Sequence, residues 1–492
     1  MAKNKWYEFT KRSQTPFPNY ISMESSTLEM KKAIGFCYKQ LMAVIQGNDF
    51  WFFFDKNDYN EVAEKIFKKI EKNHDFFKLL IIRQKEYGPI LVNNSERNSR
   101  QNLEKASDDE LAQFWKQYDF DYKRVYSNYF AILGVEAYLL NYLSNYLFET
   151  FKDHELATDY FNQLTTEPKA MVSLHEKVDA LKLALKIKNN KKWFGIFNLP
   201  EVRELVKEEK SLYKLIKKHE NKWFWIARGY EGSVLGINDF ILRIGEYLKL
   251  DQKKELENIK NKENQRKKEL KKIKITEKLE PFFQVVRDGI QLKEIRKGFV
   301  SQSLHYFDPI LKEVAKRGGI SVYQAKFLKT SEIAELLRGK KNFSQILDNR
   351  IKLSVYFVKD GNAQIVVGKK AEKIFAEYCQ IPEGIKELKG FAVSQGKVQG
   401  RVVIAYDTSD FNKIKKGDVV VTVNAEPSFS TAIIKAAALV TDGGTGVTSH
   451  PATLAREAGI PCVVDTKIAT KFLADGDLVE VDGYKGIVKK ID

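Results

Sequence analysis

Apolar residues recur at helical spacing through most of the chain. From Thr27 onward, through Ile34 and Leu41, they fall mostly three or four positions apart, which is typical of helices that bury one face. The broadest such face comprises Tyr129, Ile132, Leu133, Leu139, Leu140, Leu143 and Tyr146. Residues 6–26 lack this period and contain the rigid turn 16–20. The pattern predicts a large, mainly helical N-terminal region that begins after an irregular segment.

The pattern changes near residue 350. Two apolar runs, 351–358 and 363–367, flank Asp360-Gly361, and a D-G pair between β-rich runs is a strong signal for a β-hairpin. A helix and then a segment with Pro and Gly follow. We therefore predict three parts. They are a helical domain over 1–380 with a β-hairpin at about 351–368, a linker over 381–390 and a separate domain over 391–492.

Charge is concentrated in the helical region. Residues 251–278 are nearly all Lys, Glu, Asn and Gln, which predicts a solvated helix with pairs such as Glu263 and Lys267. The net charge of +17 lies outside residues 390–492, which hold twelve Lys+Arg and twelve Asp+Glu. Such a region can attract nucleic acid, anionic lipid, an acidic protein or a phosphorylated substrate. We favour ordinary lysine-rich helix surfaces and do not expect nucleic acid as a partner.

Composition is that of an ordinary cytoplasmic protein. The 492 residues are 43% hydrophobic and 30% charged, which is enough for two to four domains. Cys37, Cys379 and Cys462 lie far apart without metal-ligand spacing. The first residues lack the apolar core of a signal peptide, and no stretch has the composition of a membrane span. We expect a cytoplasmic location, no membrane contact and no metal site.

A glycine-rich turn near the end of the chain delivers a histidine to a helix. The apolar run 436–440 leads into 441–449, which reads T-D-G-G-T-G-V-T-S, and His450 follows. Pro451 suits the first helical position. At such a helix start the dipole disfavours imidazolium and favours an attached phosphate. A neutral imidazole there suits a nucleophile that carries a phosphoryl group, although a lone histidine at a helix start is more often a cap or a surface residue.

The stretch 441–461 resembles the signature of the phosphohistidine swivelling domain, the mobile domain of phosphoenolpyruvate-utilising enzymes. That family includes phosphoenolpyruvate synthases, pyruvate phosphate dikinases and rifamycin-type antibiotic phosphotransferases. The resemblance covers roughly the last hundred residues and implies a β/β/α domain. More diffuse motifs at Trp6, 15–18, 228–246 and 327–339 resemble the helical substrate domain of the rifamycin-type enzymes. The fold class implied is α+β, with a helical N-terminal domain and a C-terminal swivelling domain.

The resemblance implies roles for individual residues. His450 would be the phosphoryl carrier. The phosphate would be steadied by Gly443, Gly444, Thr448, Ser449 and Arg456, although a salt bridge from Arg456 to Asp442 or Glu457 is an equal alternative. This chain departs from the family pattern by one extra residue between Asp442 and His450, and by Pro451 in place of the usual alanine.

The charging machinery of the family is missing from the sequence pattern. There is no G-x-x-x-x-G-K-[ST] loop, and no stretch matches an ATP-grasp domain or a phosphoenolpyruvate-binding barrel. We therefore expect a separate ATP-grasp subunit to phosphorylate His450. ATP and Mg²⁺ would bind that partner, and this chain would bind no cofactor.

The acceptor would bind the helical domain, which holds 54 of the 60 Phe, Trp and Tyr residues. An aromatic-lined pocket for a bulky small molecule is one interpretation, and an ordinary core is the other. Two candidates for a base on the acceptor side are His305, with Asp308 near it in sequence, and Glu136, whose pKa would rise if it were buried. A structural role is the alternative for both. The remaining histidines, His74, His154, His175 and His219, are expected to face solvent.

Three functions fit this sequence. The first is a phosphotransferase component that carries a phosphoryl group on His450 from an ATP-grasp partner to an acceptor on the helical domain. The second is a split phosphoenolpyruvate synthase-like subunit that acts on pyruvate. The third is a regulatory or nucleic-acid-binding protein that retains the swivelling domain without catalysis. The acceptor, the donor nucleotide and the oligomeric state are not fixed by the sequence.

Overall fold

A computed structural model of the chain describes residues 5–151, 160–161, 163–165, 171–273, 275, 278–339, 342–380, 385–406, 408–423, 425, 429–433, 435–443 and 450–491. Within these ranges the helices are α1 (Asn19–Thr27), α2 (Glu29–Ile34), α3 (Lys56–Lys72), α4 (Phe76–Ser99), α5 (Asp108–Thr150), α6 (Val172–Lys188), α7 (Lys191–Ile196), α8 (Val202–Glu208), α9 (Lys210–Trp223), α10 (Ile237–Leu248), α11 (Gln252–Lys272), α12 (Glu280–Arg317), α13 (Val322–Ala325), α14 (Ile333–Leu337), α15 (Phe343–Lys352), α16 (Lys369–Tyr378), α17 (Ser430–Ile433), α18 (His450–Ala458) and α19 (Ala469–Phe472). The strands are β1 (Trp6–Ser13), β2 (Gln40–Gln46), β3 (Asp49–Asp55), β4 (Ser354–Lys359), β5 (Asn362–Val367), β6 (Glu387–Lys389), β7 (Phe391–Ser394), β8 (Lys397–Ile404), β9 (Val419–Thr422), β10 (Ala438–Thr441), β11 (Cys462–Val464), β12 (Leu478–Asp482) and β13 (Ile487–Lys490).

The chain divides into two compact units. Unit 1 comprises Met1–Asn73, Asn102–Tyr142 and Pro309–Asp492, and unit 2 comprises His74–Gln101 and Leu143–Asp308. Helices dominate the chain up to α16, and a sheet domain follows at the C-terminus. The predicted α+β class, with a large helical N-terminal region, is therefore confirmed. None of the described helices is both long enough and apolar enough to cross a membrane.

A five-stranded antiparallel sheet in unit 1 has the order β1-β3-β2-β4-β5. Its last two strands, β4 and β5, are the predicted hairpin. The φ angles of Asp360 and Gly361 in the turn are 49° and 78°. A two-residue type I′ turn requires positive φ at both central positions, which is why Asp-Gly is favoured there.

The other three strands of this sheet correct the sequence-based prediction. Residues 6–13 form β1 instead of an irregular segment, and residues 40–55 form the β2–β3 hairpin instead of continuing a helix. The reason is burial on both faces: β3 reads D-F-W-F-F-F-D, and its six residues from Phe50 to Asp55 are all buried. A strand covered on both sides loses the alternation of apolar and polar residues, so its pattern cannot be told from that of a buried helix.

Both faces of the five-stranded sheet are covered within unit 1. On one face, Trp51 and Phe53 pack in a cluster with Ile374 of α16. On the other face, Phe52 lies 6.3 Å from Phe130 of α5, and Phe54 lies 5.0 Å from Tyr59 of α3, measured between ring centroids.

The C-terminal sheet has eight strands in the order β6-β13-β12-β8-β9-β10-β11-β7. Its four central neighbours, β8, β9, β10 and β11, are parallel, and the flanking pairs are antiparallel. Alternate residues of β10 belong to two cores: Leu439 packs with Ala452 and Ala455 of α18, and Val440 packs with Ala469 of α19. Strand β6 lies within the predicted linker, whose residues 381–384 are outside the described ranges.

Unit 2 contains a buried ionic group that the sequence reading placed in solvent. His219 is 7% exposed, and its Nε2 lies 3.1 Å from Oε1 of Glu176, which is fully buried and also pairs with Arg243 at 2.7 Å. His219 falls at helical spacing with the buried Ile216 and Trp223 on α9, so the apolar stripe, and not the flanking lysines, sets its direction. His74 and His175 are exposed, as predicted, and His154 lies outside the described residues.

The charged stretch forms α11, as predicted. Its first amides are capped by Asp251, whose carboxylate accepts from the N–H of Lys254 at 3.1 Å. The predicted pair is present, with Lys267 Nζ 2.9 Å from Glu263.

We predict that Gly88→Ala destabilises the protein by about 1–3 kcal/mol. Gly88 lies in α4, where Ala would ordinarily be favoured by about 1 kcal/mol. A Cβ at this position would lie 1.9 Å from Cδ2 of Phe299, and the following Pro89 further restricts any non-glycine residue. Urea denaturation followed by circular dichroism measures the change in unfolding free energy.

Gly195→Ala is the matched control, because Gly195 also lies in a helix of unit 2 and a Cβ there would meet nothing within 4 Å. We expect this variant to be as stable as the parent or slightly more stable. Equal effects of the two substitutions would contradict the steric explanation.

Candidate functional site

The carboxyl ends of the parallel strands β9, β10 and β11 meet at one edge of the eight-stranded sheet. Backbone bonds extend this alignment beyond the strands: Asp442 N–H donates to Thr422 O at 3.0 Å, and Gly443 N–H donates to Val423 O at 2.8 Å. On the far side, Asp465 N–H donates to Gly443 O at 3.2 Å. Ligand sites of α/β sheets lie at such an edge.

Asp442 is the first residue beyond β10, and its side chain is fully buried. The N–H of Thr470 donates to Asp442 Oδ1 at 2.9 Å, and the Thr470 hydroxyl donates to Oδ2. Burial raises the pKa of the Asp442 carboxyl, and the hydrogen bonds from Thr470 oppose that rise. The Asp442 carbonyl also accepts from Lys467 N–H at 2.9 Å. Asp442 is therefore fixed on both sides, at the start of the segment that leads to His450.

His450 is the first residue of α18, one position earlier than the predicted start at Pro451. Ala452, Leu454 and Ala455 hold this nine-residue helix in the core of the C-terminal domain. The first turn of an α-helix has backbone amides without acceptors inside the helix and lies at the positive end of the helix dipole. The side chain of His450 lies outside what the structure describes.

The other predicted phosphate-binding residues fall into two groups. Gly443 is buried between the strand ends, whereas Gly444, Thr448 and Ser449 lie outside the described residues. The half-buried Arg456 donates from Nε to the carbonyl of Ala452 at 3.1 Å, within its own helix. These roles remain predictions.

The two predicted bases belong to different units. His305 lies on α12 in unit 2, where its ring centroid is 5.0 Å from that of Phe224. Burial lowers the pKa of His305, as does the nearby charge of Arg228, and Asp308 acts in the opposite direction. The Asp308 carboxylate binds Arg228 at 2.9 Å, so the predicted carboxylate partner of His305 is engaged by an arginine.

Glu136 lies on α5 in unit 1 and is half-buried. The pKa of the buried Tyr59 is raised mainly by burial, and the charge of Glu136 contributes to that rise. The Tyr59 hydroxyl donates to Leu133 O at 3.0 Å. The role of Glu136 as a base remains a prediction.

A cluster of charged residues around Asp442 was missed by the sequence reading. It consists of Glu8 and Lys11 on β1 together with Asp465, Lys467 and Lys471 from the segment after β11. Burial raises the pKa of Glu8 to about 7 and that of Asp465 to about 6. The signal available in the sequence was Asp465-Thr466-Lys467 directly after the apolar end of β11. Among the described residues, no group of three or more His, Cys, Asp or Glu is arranged to hold a metal ion.

Comparison with known proteins identifies the C-terminal region. The family described as PEP-utilising enzyme, mobile domain, matches residues 414–486. Phosphoenolpyruvate synthase of Pyrococcus furiosus is 44% identical over 146 residues, which are 28% of this chain and 18% of the relative. Phosphoenolpyruvate synthase of Aeropyrum pernix is 33% identical over 220 residues, 41% of this chain and 26% of the relative. An uncharacterized phosphotransferase of Bacillus subtilis is 42% identical over 119 residues, 24% of this chain and 14% of the relative.

The chain spans between 14% and 26% of the length of these relatives. The alignments with the two synthases, of 146 and 220 residues, are longer than the stretch 391–492. The similarity therefore extends upstream of β7. The parallel sheet, the fixed Asp442 and the helix that begins at His450 all lie in or beside the matched residues. The C-terminal domain of this chain is a mobile domain of the PEP-utilising enzyme family.

Proposed function

We propose that the chain is a phosphotransferase component that carries a phosphoryl group on His450. The observation that supports this most directly is the position of His450 at the start of α18, at the carboxyl edge of the parallel strands, in a domain of the PEP-utilising family. The helix dipole disfavours a charged imidazolium there and favours an attached phosphate. A neutral imidazole can attack a phosphoryl group and then pass it on, because the phosphoramidate that forms is reactive.

The neighbouring residues are proposed to hold the phosphate. The backbone amide of Gly444 and the hydroxyls of Thr448 and Ser449 are the proposed donors for its oxygens. The predicted contribution of Gly443 is corrected, because its N–H already donates to the carbonyl of Val423 at 2.8 Å. Arg456 follows His450 on the same helix and is the proposed cationic partner.

The donor is proposed to be an ATP-grasp partner that binds ATP and Mg²⁺. The relatives named above are several times longer than the matched segments, which leaves room for a separate nucleotide-binding part. The acceptor is proposed to be a small molecule bound by the helical region, whose aromatic residues suit a bulky organic compound. His305 and Glu136 are the candidate bases for that step.

A second candidate is a phosphoenolpyruvate synthase-like subunit that passes the phosphoryl group to pyruvate. The 220-residue match to the Aeropyrum pernix synthase favours it, since that similarity extends upstream of the mobile domain. In this candidate the pyruvate would be bound by another chain, so pyruvate is added to the phosphorylated chain both alone and together with a separate phosphoenolpyruvate-binding barrel subunit. Formation of phosphoenolpyruvate in either mixture supports the synthase, and retention of the phosphoryl group in both supports a different acceptor.

We predict that phosphoramidate, a small phosphoryl donor, phosphorylates His450 in the purified chain and that ATP alone does not. The product should be labile to acid and stable to base, as a phosphohistidine is. Intact-mass and peptide mass spectrometry measure the extent and the position of the modification.

His450→Ala should abolish this modification, and His175→Ala is the matched control because His175 is exposed on α6. Labelling that survives in His450→Ala would refute the carrier role. Complete labelling by ATP alone would refute the need for an ATP-grasp partner.

We also predict that Thr470→Val lowers the stability of the C-terminal domain by about 1–3 kcal/mol, because it removes one donor from a buried carboxylate. Urea denaturation of Thr470→Val, Asp442→Asn and the double variant measures the interaction in a double-mutant cycle. The coupling energy should be at least about 1 kcal/mol, since the two side chains are bonded directly. Additive effects of the two substitutions would show that this hydrogen bond does not stabilise the contact between the end of β10 and α19.

A further inference from the structure

β1 is an edge strand of the five-stranded sheet, and the C-terminal domain lies against it within unit 1. The pairing of β1 with β3 shifts register between Glu8 and Thr10, so that Phe9 has no partner of its own on β3. A bulge of this kind takes backbone groups out of the ladder. The carbonyls of Glu8 and Phe9 accept from the side chain of Lys467 instead.

Lys467 finds three acceptors for its ammonium group. Its Nζ lies 2.6 Å from Oδ1 of Asp465, 3.0 Å from the carbonyl of Glu8 and 3.4 Å from the carbonyl of Phe9. An ammonium group has three N–H donors, so this arrangement matches its capacity. One acceptor belongs to the C-terminal domain and two belong to β1, so a single side chain joins them.

The backbone that presents Lys467 is held in an uncommon conformation. Asp465 and Lys467 have φ angles of 62° and 70°, and left-handed backbone is unfavourable for residues other than glycine. Such a conformation persists only where its surroundings hold it. Here the strand ends do so: Lys467 N–H donates to Asp442 O at 2.9 Å, and Thr466 N–H donates to Thr441 O at 3.0 Å.

Further contacts surround this bridge. Lys471 Nζ lies 4.7 Å from the centroid of Trp51, and Lys11 Nζ lies 5.2 Å from the same ring. A Cβ on Gly443 would lie 3.2 Å from the carbonyl of Lys11, so only a glycine fits without displacement. The side chain of Lys11 is 4% exposed.

We propose that Lys467 is a positioning residue that holds the C-terminal domain on β1 in a docked position, from which the domain is released to travel. The proposal rests on the proposed function in one respect, because a carrier domain has to leave one position for another. The docked position itself is defined by contacts that do not involve phosphate.

We expect the protonation state of Glu8 to change the strength of this docking. The charged groups that face Glu8 are Lys467, Asp465, Lys11 and Asp442. The charge of Glu8 also helps to raise the pKa of the Cys379 thiol, at the end of α16. Oε1 of the Glu8 carboxyl group is buried and has no hydrogen-bond partner among the described residues, and this burial is the main cause of the raised pKa of Glu8. The raised pKa means that the neutral acid is favoured in the docked state. The free energy of docking should therefore become less favourable as pH rises from the ordinary pKa of a glutamate to about 7, and should be constant at higher pH. Asp465 shifts in the same direction but completes its ionisation nearer pH 6.

Acetylation of Lys11 by a water-soluble succinimidyl ester tests the proposal, with mass spectrometry of the modified peptides. In Lys467→Met we expect Lys11 to react roughly tenfold faster or more, the effect of losing hydrogen bonds to a charged group. The exposed Lys359 of β4 serves as an internal reference. Lys397→Met is the matched control, because it removes an ion pair with Glu480 within the C-terminal domain and should leave Lys11 protected.

Lys123 reports on unfolding, because its half-buried ammonium group lies 2.7 Å from both Glu24 and Asp119, which are residues outside the C-terminal domain. Faster reaction at Lys11 with Lys123 still protected supports release of the domain, and equal reaction of Lys11 in Lys467→Met and the parent overturns the proposal. If Lys123 also reacts, Asp465→Asn decides, since asparagine is isosteric and tolerates left-handed backbone. Unchanged reaction of Lys11 in that variant overturns the proposal. No phosphoryl donor is present, so failure here is distinct from failure of the carrier role.

A second measurement uses the pH dependence of the same reaction. The ratio of Lys11 to Lys359 acetylation in the parent chain should rise by up to roughly tenfold between about pH 6 and about pH 8. In Glu8→Gln, which keeps the carbonyl contact of residue 8 with Lys467, this ratio should change much less. Equal pH dependence in the two proteins would show that Glu8 does not act on docking.

Discussion

The buried carboxylate of Asp442 is the constraint on which the rest of the site depends. A carboxylate out of contact with water is stable only when donors surround it, and Thr470 provides two, from its backbone and its hydroxyl. Because Thr470 lies on α19, these bonds tie the end of β10 to the segment that follows β11. The path to His450 and the segment that carries Lys467 therefore both start from fixed strand ends.

Features determined by near neighbours in sequence were predictable. Asp360-Gly361 specifies its turn because both positions need positive φ, and Glu263 meets Lys267 because residues four apart lie on one face of a helix. The helix start at His450 belongs to the same class, since glycines followed by a Ser-His-Pro sequence mark a boundary by local chemistry alone. The stretch around His450 also identified the family that the comparisons then matched to residues 414–486.

Features that depend on distant parts of the chain were not predictable. β1 and β3 belong to one sheet with β4 and β5, hundreds of residues later. The apolar run of β3 does not alternate because helices from distant parts of the chain cover both faces of that sheet. His219 was misplaced because its lysine neighbours were weighed above the apolar stripe that carries it inward. The contact between Lys467 and Glu8 joins residues 459 positions apart, and no local pattern reports on such a pair.

The chemistry of the β1 contact fits a carrier that has to be both held and released. A large apolar interface would bind the domain continuously, since the free energy of exposing it grows with its area. Lys467 instead binds two carbonyls and a carboxylate. On release, water can take the place of these acceptors, so the net free energy of the contact is small although its geometry is well defined. We expect the half-buried Glu8 to weaken the contact further once it ionises. For the proposed carrier, such docking would be specific because three acceptors must be contacted at once, and reversible because each of them is polar.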